Sequence, residues 1–196
     1  MYRFFFITLV LLCSCSITDP YYLNLNSTHQ NEFVISKIDT TIELMNENII
    51  DIYSINSSEL NYLLSNTSNK YKLLIFFTNW CPNSSESIPV LLNDLGNIDE
   101  LDILLVSPDD WVRKNNYLGY INKYHLNFNV YLLDVYSYGE KRNPHYRMRK
   151  FMNEICSDCD DIGGFPSFIL YDQNNFIIFK HRGEIDTNII TSMMQN

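Results

Sequence analysis

Positive charge is scarce in this chain of 196 residues: 14 Lys and Arg stand against 23 Asp and Glu, a net charge of −9. Such a balance disfavours wholesale binding to nucleic acid or to an anionic membrane surface. No internal repeat is present and no low-complexity block beyond a general abundance of Asn, which sets repeat architectures aside. The apolar run at 4–12 is too short to span a bilayer with ease. Hydrophobic residues nevertheless make up 46% of the chain and aromatics 14%, enough for one well-formed globular core rather than a disordered chain.

The first residues, MYRFFFITLVLLCSC, place one cation, Arg3, before that apolar run, as a secretory signal does. Leu12-Cys13-Ser14-Cys15 resembles a bacterial lipobox, which implies a signal peptide over 1–14 and lipid attachment at Cys15; the same features also fit a plain signal cut slightly later. Residues 15–31 are polar and turn-rich and read as a tether. The domain over 32–196 then lies outside the cytoplasm, where disulfides persist. It divides into an N-terminal extension over 32–70 and a core over 71–196. Localisation is the bacterial cell envelope, with contact to the membrane by the lipid anchor alone.

The core is organised around KLLIFFTNWCPNSSESIPVL, residues 72–91. Residues 73–77 are apolar throughout, as in a strand buried on both faces. Ile88, Leu91, Leu92 and Leu95 then recur at helical spacing, which predicts a helix over 82–96. Cys81 falls at its start and Pro82 at a first-turn position, where no N–H donor is needed. Helix N-termini stabilise a thiolate and lower cysteine pKa values to about 3.5–7.5, so Cys81 is a candidate nucleophile; a half-buried thiol packed beside Trp80 is the alternative.

Short strands are read loosely at 33–38 and 40–44, and a better one at 49–55. Ser57 or Ser58 caps a short helix carrying Leu60, Leu63 and Leu64. Strands follow at 101–107, 128–135, 168–171 and 176–180, with helices from Asp109 or Asp110 to about 124, over 144–155 and over 184–194. The turn Asp172-Gln173-Asn174-Asn175 suits a hairpin, since Asn tolerates positive φ. Strands alternating with helices make an α/β sheet covered on both faces.

A Phe-rich strand, Trp80-Cys81-Pro82, and a helix with Pro89 eight positions after the cysteine together resemble the thioredoxin superfamily, in its extracytoplasmic TlpA/ResA-like branch. The resemblance covers roughly 49–196. It implies a thioredoxin-like fold: a central mixed sheet flanked by helices, with a helix–strand insertion at 109–135. It further implies thiol–disulfide exchange with Cys81 as nucleophile, on a protein or small thiol or disulfide substrate, by a monomer without cofactor or metal. Gly163-Gly164-Phe165-Pro166 occupies the place of the family's cis-proline loop, so Phe165 and Pro166, with Trp80 and Pro82, would bind substrate. Two departures stand out. Ser84 replaces the second motif cysteine, and Ile75 stands where many relatives carry a buried Asp or Asn.

Serine cannot resolve a mixed disulfide; it can only hydrogen-bond to the thiolate. Cys156-Ser157-Asp158-Cys159 leads into the prolyl loop, and three readings of it stay open: a disulfide that staples the loop, a pair that resolves at Cys81, or a metal site, for which only His145 is near in sequence. With Cys13 lost with the signal, the three cysteines besides Cys15 cannot all pair, so one stays free or joins another molecule. Lys141, Arg142, Arg147, Arg149 and Lys150 read as a solvated basic helix face. Thr78 and Cys81 resemble the peroxiredoxin Thr-x-x-Cys, but Leu74 stands where that motif has Pro. His125 and His181 are isolated, and a structural role is the default for both. A catalytically inactive module that binds a partner in the prolyl groove is the alternative to an enzyme.

Overall fold

The computed structural model describes residues 52–67, 69–139, 143–159 and 163–195. Within them the chain runs β1 (Ile52–Ile55), α1 (Ser57–Asn66), β2 (Tyr71–Phe76), α2 (Pro82–Leu95), β3 (Leu101–Ser107), a 3-10 turn (Trp111–Arg113), α3 (Lys114–Tyr124), β4 (Val130–Leu133), one helical turn α4 (Val135–Tyr138), α5 (Pro144–Ile155), β5 (Ser167–Tyr171), β6 (Ile177–Arg182) and α6 (Thr187–Met194). The expected strands at 33–38 and 40–44, and the signal, Cys15 and the tether, lie outside the described residues, as do Lys141 and Arg142.

Every residue of β2 is buried, and its side chains alternate between two cores. Leu74 and Phe76 meet Leu60, Leu63 and Leu64 of α1 and Met148, Phe151 and Met152 of α5 in one. Leu73 and Ile75 meet Ile88, Leu91, Leu92 and Leu95 of α2, Tyr117 and Ile121 of α3, and Ile190 of α6 in the other. An apolar strand of this kind cannot face water on either side, so three layers follow. The sheet order is β1-β4-β3-β2-β5-β6. β2 pairs parallel with β3 and antiparallel with β5, and β5 and β6 form an antiparallel hairpin. A mixed sheet with a C-terminal hairpin and closing helix, and with α3 and β4 inserted after β3, is the thioredoxin-like fold.

Where the elements differ from the expected bounds, a cap explains it. Asn56, not Ser57 or Ser58, caps α1, in a reciprocal capping box with Glu59. The strand expected at 128–135 stops at Leu133, because the Asp134 carboxylate accepts the N–H groups of Tyr136 and Ser137 and opens α4. In the 172–175 turn Asn175 has φ 62°, as its side chain allows.

Pro89 lies inside α2 and brings no N–H to the Ser85 carbonyl four residues back. Tyr120 of α3 supplies the missing donor: its hydroxyl donates to Ser85 O at 3.1 Å. Without such a donor a buried carbonyl costs about 1–3 kcal/mol. The bond also fixes α3 against the first half of α2, near the cysteine.

Candidate functional site

Cys81 is the N-cap of α2, with extended backbone (φ −87°, ψ 116°). Its carbonyl accepts the N–H groups of Ser84 at 3.0 Å and Ser85 at 2.8 Å, and Pro82 opens the helix where its missing donor is not needed. The sulfur is wholly buried and lies 3.8 Å from the carbonyl oxygen of Phe165. The Phe165–Pro166 bond is cis. Two stretches 84 residues apart in sequence therefore meet at the sulfur.

Trp80 and Phe165 form the walls beside it, in edge contact at 6.1 Å between ring centroids. His145, from the first turn of α5, also packs on Phe165, at 5.4 Å between ring centroids. The Pro166 carbonyl is taken by the Gly183 N–H at 2.9 Å, and Ser167 Oγ donates to the Gly164 carbonyl. The Arg182 side chain lies over Gly164: a Cβ there would come within 2.5 Å of Arg182 Nε, and the exposed guanidinium would have to shift. The prolyl loop is thus anchored on the hairpin β5–β6.

Ser84 is fully buried, and its Oγ accepts the backbone N–H of Thr78 at 3.1 Å. The hydroxyl closes the loop between β2 and α2 on the turn that follows Cys81. Thr78 is buried as well, and its own hydroxyl has no hydrogen-bond partner among the described residues.

Cys156 caps α5 at its C-terminal end and is bonded to Cys159, with Cα atoms 5.5 Å apart. Both cysteines pack in the same apolar cluster as Cys81, Trp80 and Phe165. Asp158 sits with Cys156 and Cys159 in a group of three potential metal donors, but sulfurs joined to each other are not thiolate ligands. Its carboxylate is paired with Lys180 at 3.0 Å, which holds its pKa below the usual carboxylate range.

Sequence reading missed the polar half of the site. Asp109, read as a helix cap, is completely buried; its carboxylate accepts the indole N–H of Trp80 at 2.9 Å and the Tyr117 hydroxyl at 2.7 Å. Asp110 does the capping, from Val112 N–H at 3.2 Å. Arg147, read on a solvated face, is 0% exposed; its Nε donates to Pro108 O at 2.6 Å and its Nη1 lies 3.4 Å from Asp110 Oδ2. Burial raises the Asp110 pKa, with Arg147 acting against that shift. The available signal was position: residues just past the carboxyl end of a parallel strand line the crevice of an α/β sheet, and Pro108-Asp109-Asp110 follows β3 directly.

No family model matches the chain, and no curated protein sequence matches it. Solved structures are similar to it at low identity. The thioredoxin domain of a thiol-disulfide oxidoreductase from Bacteroides vulgatus is 22% identical, covers 65% of this chain and 81% of its own, and superposes with a TM-score of 0.49. StoA from Bacillus subtilis is 15% identical over 66% of this chain and 85% of its own, TM-score 0.45. The exposed lipoprotein thioredoxin of Streptococcus pneumoniae is 14% identical over 68% of this chain and 90% of its own, TM-score 0.46.

Proposed function

We propose that this chain is a cell-envelope thiol–disulfide exchange protein, of oxidoreductase or isomerase type, in which Cys81 is the only motif nucleophile. One observation carries the reading: the Cys81 sulfur lies at a helix N-terminus and faces the carbonyl that precedes a cis prolyl bond. Cys81 as a thiolate attacks a substrate disulfide, forms a mixed disulfide and expels the second substrate sulfur as a thiolate. An external thiol then attacks the mixed disulfide, takes the substrate and restores Cys81. Ser84 cannot perform that second step, so exchange or isomerisation suits the site better than net reduction. Trp80 and Pro82 with Phe165 and Pro166 hold the substrate segment; Cys156 or Cys159 acts as a resolving thiol only after their mutual bond is opened.

The test is the alkylation rate of Cys81 against pH in the reduced protein, with each cysteine followed separately by peptide mass spectrometry. The expected midpoint lies well below 8.5, the value of an ordinary thiol, with the rate rising through it as the thiolate forms. A midpoint at that ordinary value favours the second reading, a binding module on the same groove. Complete burial of the sulfur is the observation on that reading's side.

The protein is tethered by lipid at Cys15 on the present reading, because the lipobox-like Leu12-Cys13-Ser14-Cys15 follows a short apolar run. Among the described residues no helix is long and apolar enough to cross a membrane. Radioactive palmitate is expected to label the wild type and not Cys15→Ala; an unlabelled wild type removes the tether.

A further inference from the structure

We infer that Arg147 is a positioning residue of the Cys81 site, acting through the turn 108–110 on the indole of Trp80. Burying a guanidinium costs several kcal/mol, and an apolar residue of similar volume usually serves packing as well or better. Arg147 is nevertheless wholly buried, and its described hydrogen bonds converge on one turn, at Pro108 O and Asp110 Oδ2. Between those two anchors stands Asp109, whose carboxylate accepts the Trp80 indole N–H. Trp80 is bonded directly to Cys81 in sequence and touches Phe165 across the groove. A second buried guanidinium, Arg113, follows in the same segment; burial lowers its pKa, and the charge of Arg147 adds to that lowering.

The helix that carries Arg147 reaches the other wall as well. His145 lies on Phe165, and the Cys156–Cys159 bond closes the end of α5 just before the prolyl loop. Helix α5 therefore brackets the groove, holding the Trp80 side through Arg147 and the Phe165 side through His145. Without the Arg147 bonds the turn 108–110 keeps no tie to α5 from that side chain, and the Asp109 carboxylate no longer has a fixed address for the indole.

The inference rests on the thiol-exchange reading only for its kinetic consequence, so two readouts are used on the full chain. The first is hydrogen exchange of the Trp80 indole N–H by NMR, assigned with Trp111→Phe and compared with the backbone N–H groups of β2 in the same sample. The second is the rate at which reduced Cys81 forms a mixed disulfide with oxidised glutathione. In Arg147→Met the indole is expected to exchange about tenfold faster while β2 changes less, since local opening and global unfolding are separable by this comparison. Mixed-disulfide formation is expected to change by about threefold or more, and the change is expected to vanish in a Trp80→Phe background, which has no indole N–H for Asp109 to hold. Arg147→Lys, which keeps a charge and a donor but not the fork, is expected to lie between, and decides the matter if Arg147→Met does not fold. Equal acceleration of the indole and β2, or a rate effect that simply adds to that of Trp80→Phe, overturns the inference. If wild-type Cys81 proves an ordinary thiol, the functional reading falls and the indole still judges Arg147.

Discussion

Ser84→Cys is expected to change the stoichiometry of the reaction at Cys81. A chromophoric aryl disulfide added to the reduced wild type should release one aryl thiolate per Cys81 and leave the second aryl group on the protein. The variant should release two. Residue 84 follows Cys81 on the first turn of α2, with its N–H on the Cys81 carbonyl at 3.0 Å, and its side chain is buried in the same wall. A thiol held there attacks the mixed disulfide intramolecularly, and well-oriented intramolecular groups act at effective concentrations that no added thiol reaches. The lifetime of the mixed disulfide is therefore expected to fall by about a hundredfold or more. The substitution has a structural cost of about 1 kcal/mol, because Ser84 Oγ accepts the Thr78 N–H and sulfur is a weaker acceptor. Following Cys81 by peptide mass spectrometry separates its aryl release from that of Cys156 and Cys159. Two equivalents from the wild-type Cys81 would mean that Cys156 or Cys159 already resolves, and the monothiol reading would be lost.

The parts of this molecule that were legible in advance are those written in short-range pattern. The strand at 101–107 and the helix at 144–155 coincide with the observed β3 and α5, because each is set by periodicity together with a cap or a proline at its edge. The cis bond at Phe165–Pro166 and the placement of Cys81 at a helix start followed from motif and resemblance. Arg147 and Asp109 were misread for the opposite reason. What makes each buried is a partner 39 and 29 residues away in sequence, Pro108 O for the one and Trp80 Nε1 for the other, and no local pattern encodes that pairing. A charged residue at an apparently polar helix position is solvated by default, and only the folded arrangement shows that this one is not. The strand at 128–135 was overextended for a smaller reason: Asp134 sits in an apolar run, and its capping bonds, not its hydropathy, decide where β4 ends.

Asp109→Ala is expected to lower the stability of the protein by about 3–5 kcal/mol, a large fraction of a typical domain's margin of about 5–15 kcal/mol. The carboxylate accepts two hydrogen bonds in a fully buried place, from Trp80 Nε1 at 2.9 Å and from the Tyr117 hydroxyl at 2.7 Å, and bonds to a charged acceptor are worth about 1.5–3 kcal/mol each. Alanine leaves an indole N–H and a phenol O–H without that acceptor. The Tyr117 hydroxyl keeps its contact with Ser107 Oγ, which is why the loss is set below the full sum. Asp109→Asn separates charge from geometry, since its amide oxygen can still accept one of the two donors; it is expected to lose about half as much. Urea denaturation of the reduced proteins measures both, with an unchanged m-value showing that the native state, not the unfolded one, is affected. An alanine variant within about 1 kcal/mol of wild type would mean that Trp80 and Tyr117 find other acceptors. The polar side of the groove would then be adaptable rather than built, and Trp80 would owe its place beside Cys81 to its ring contact with Phe165 alone.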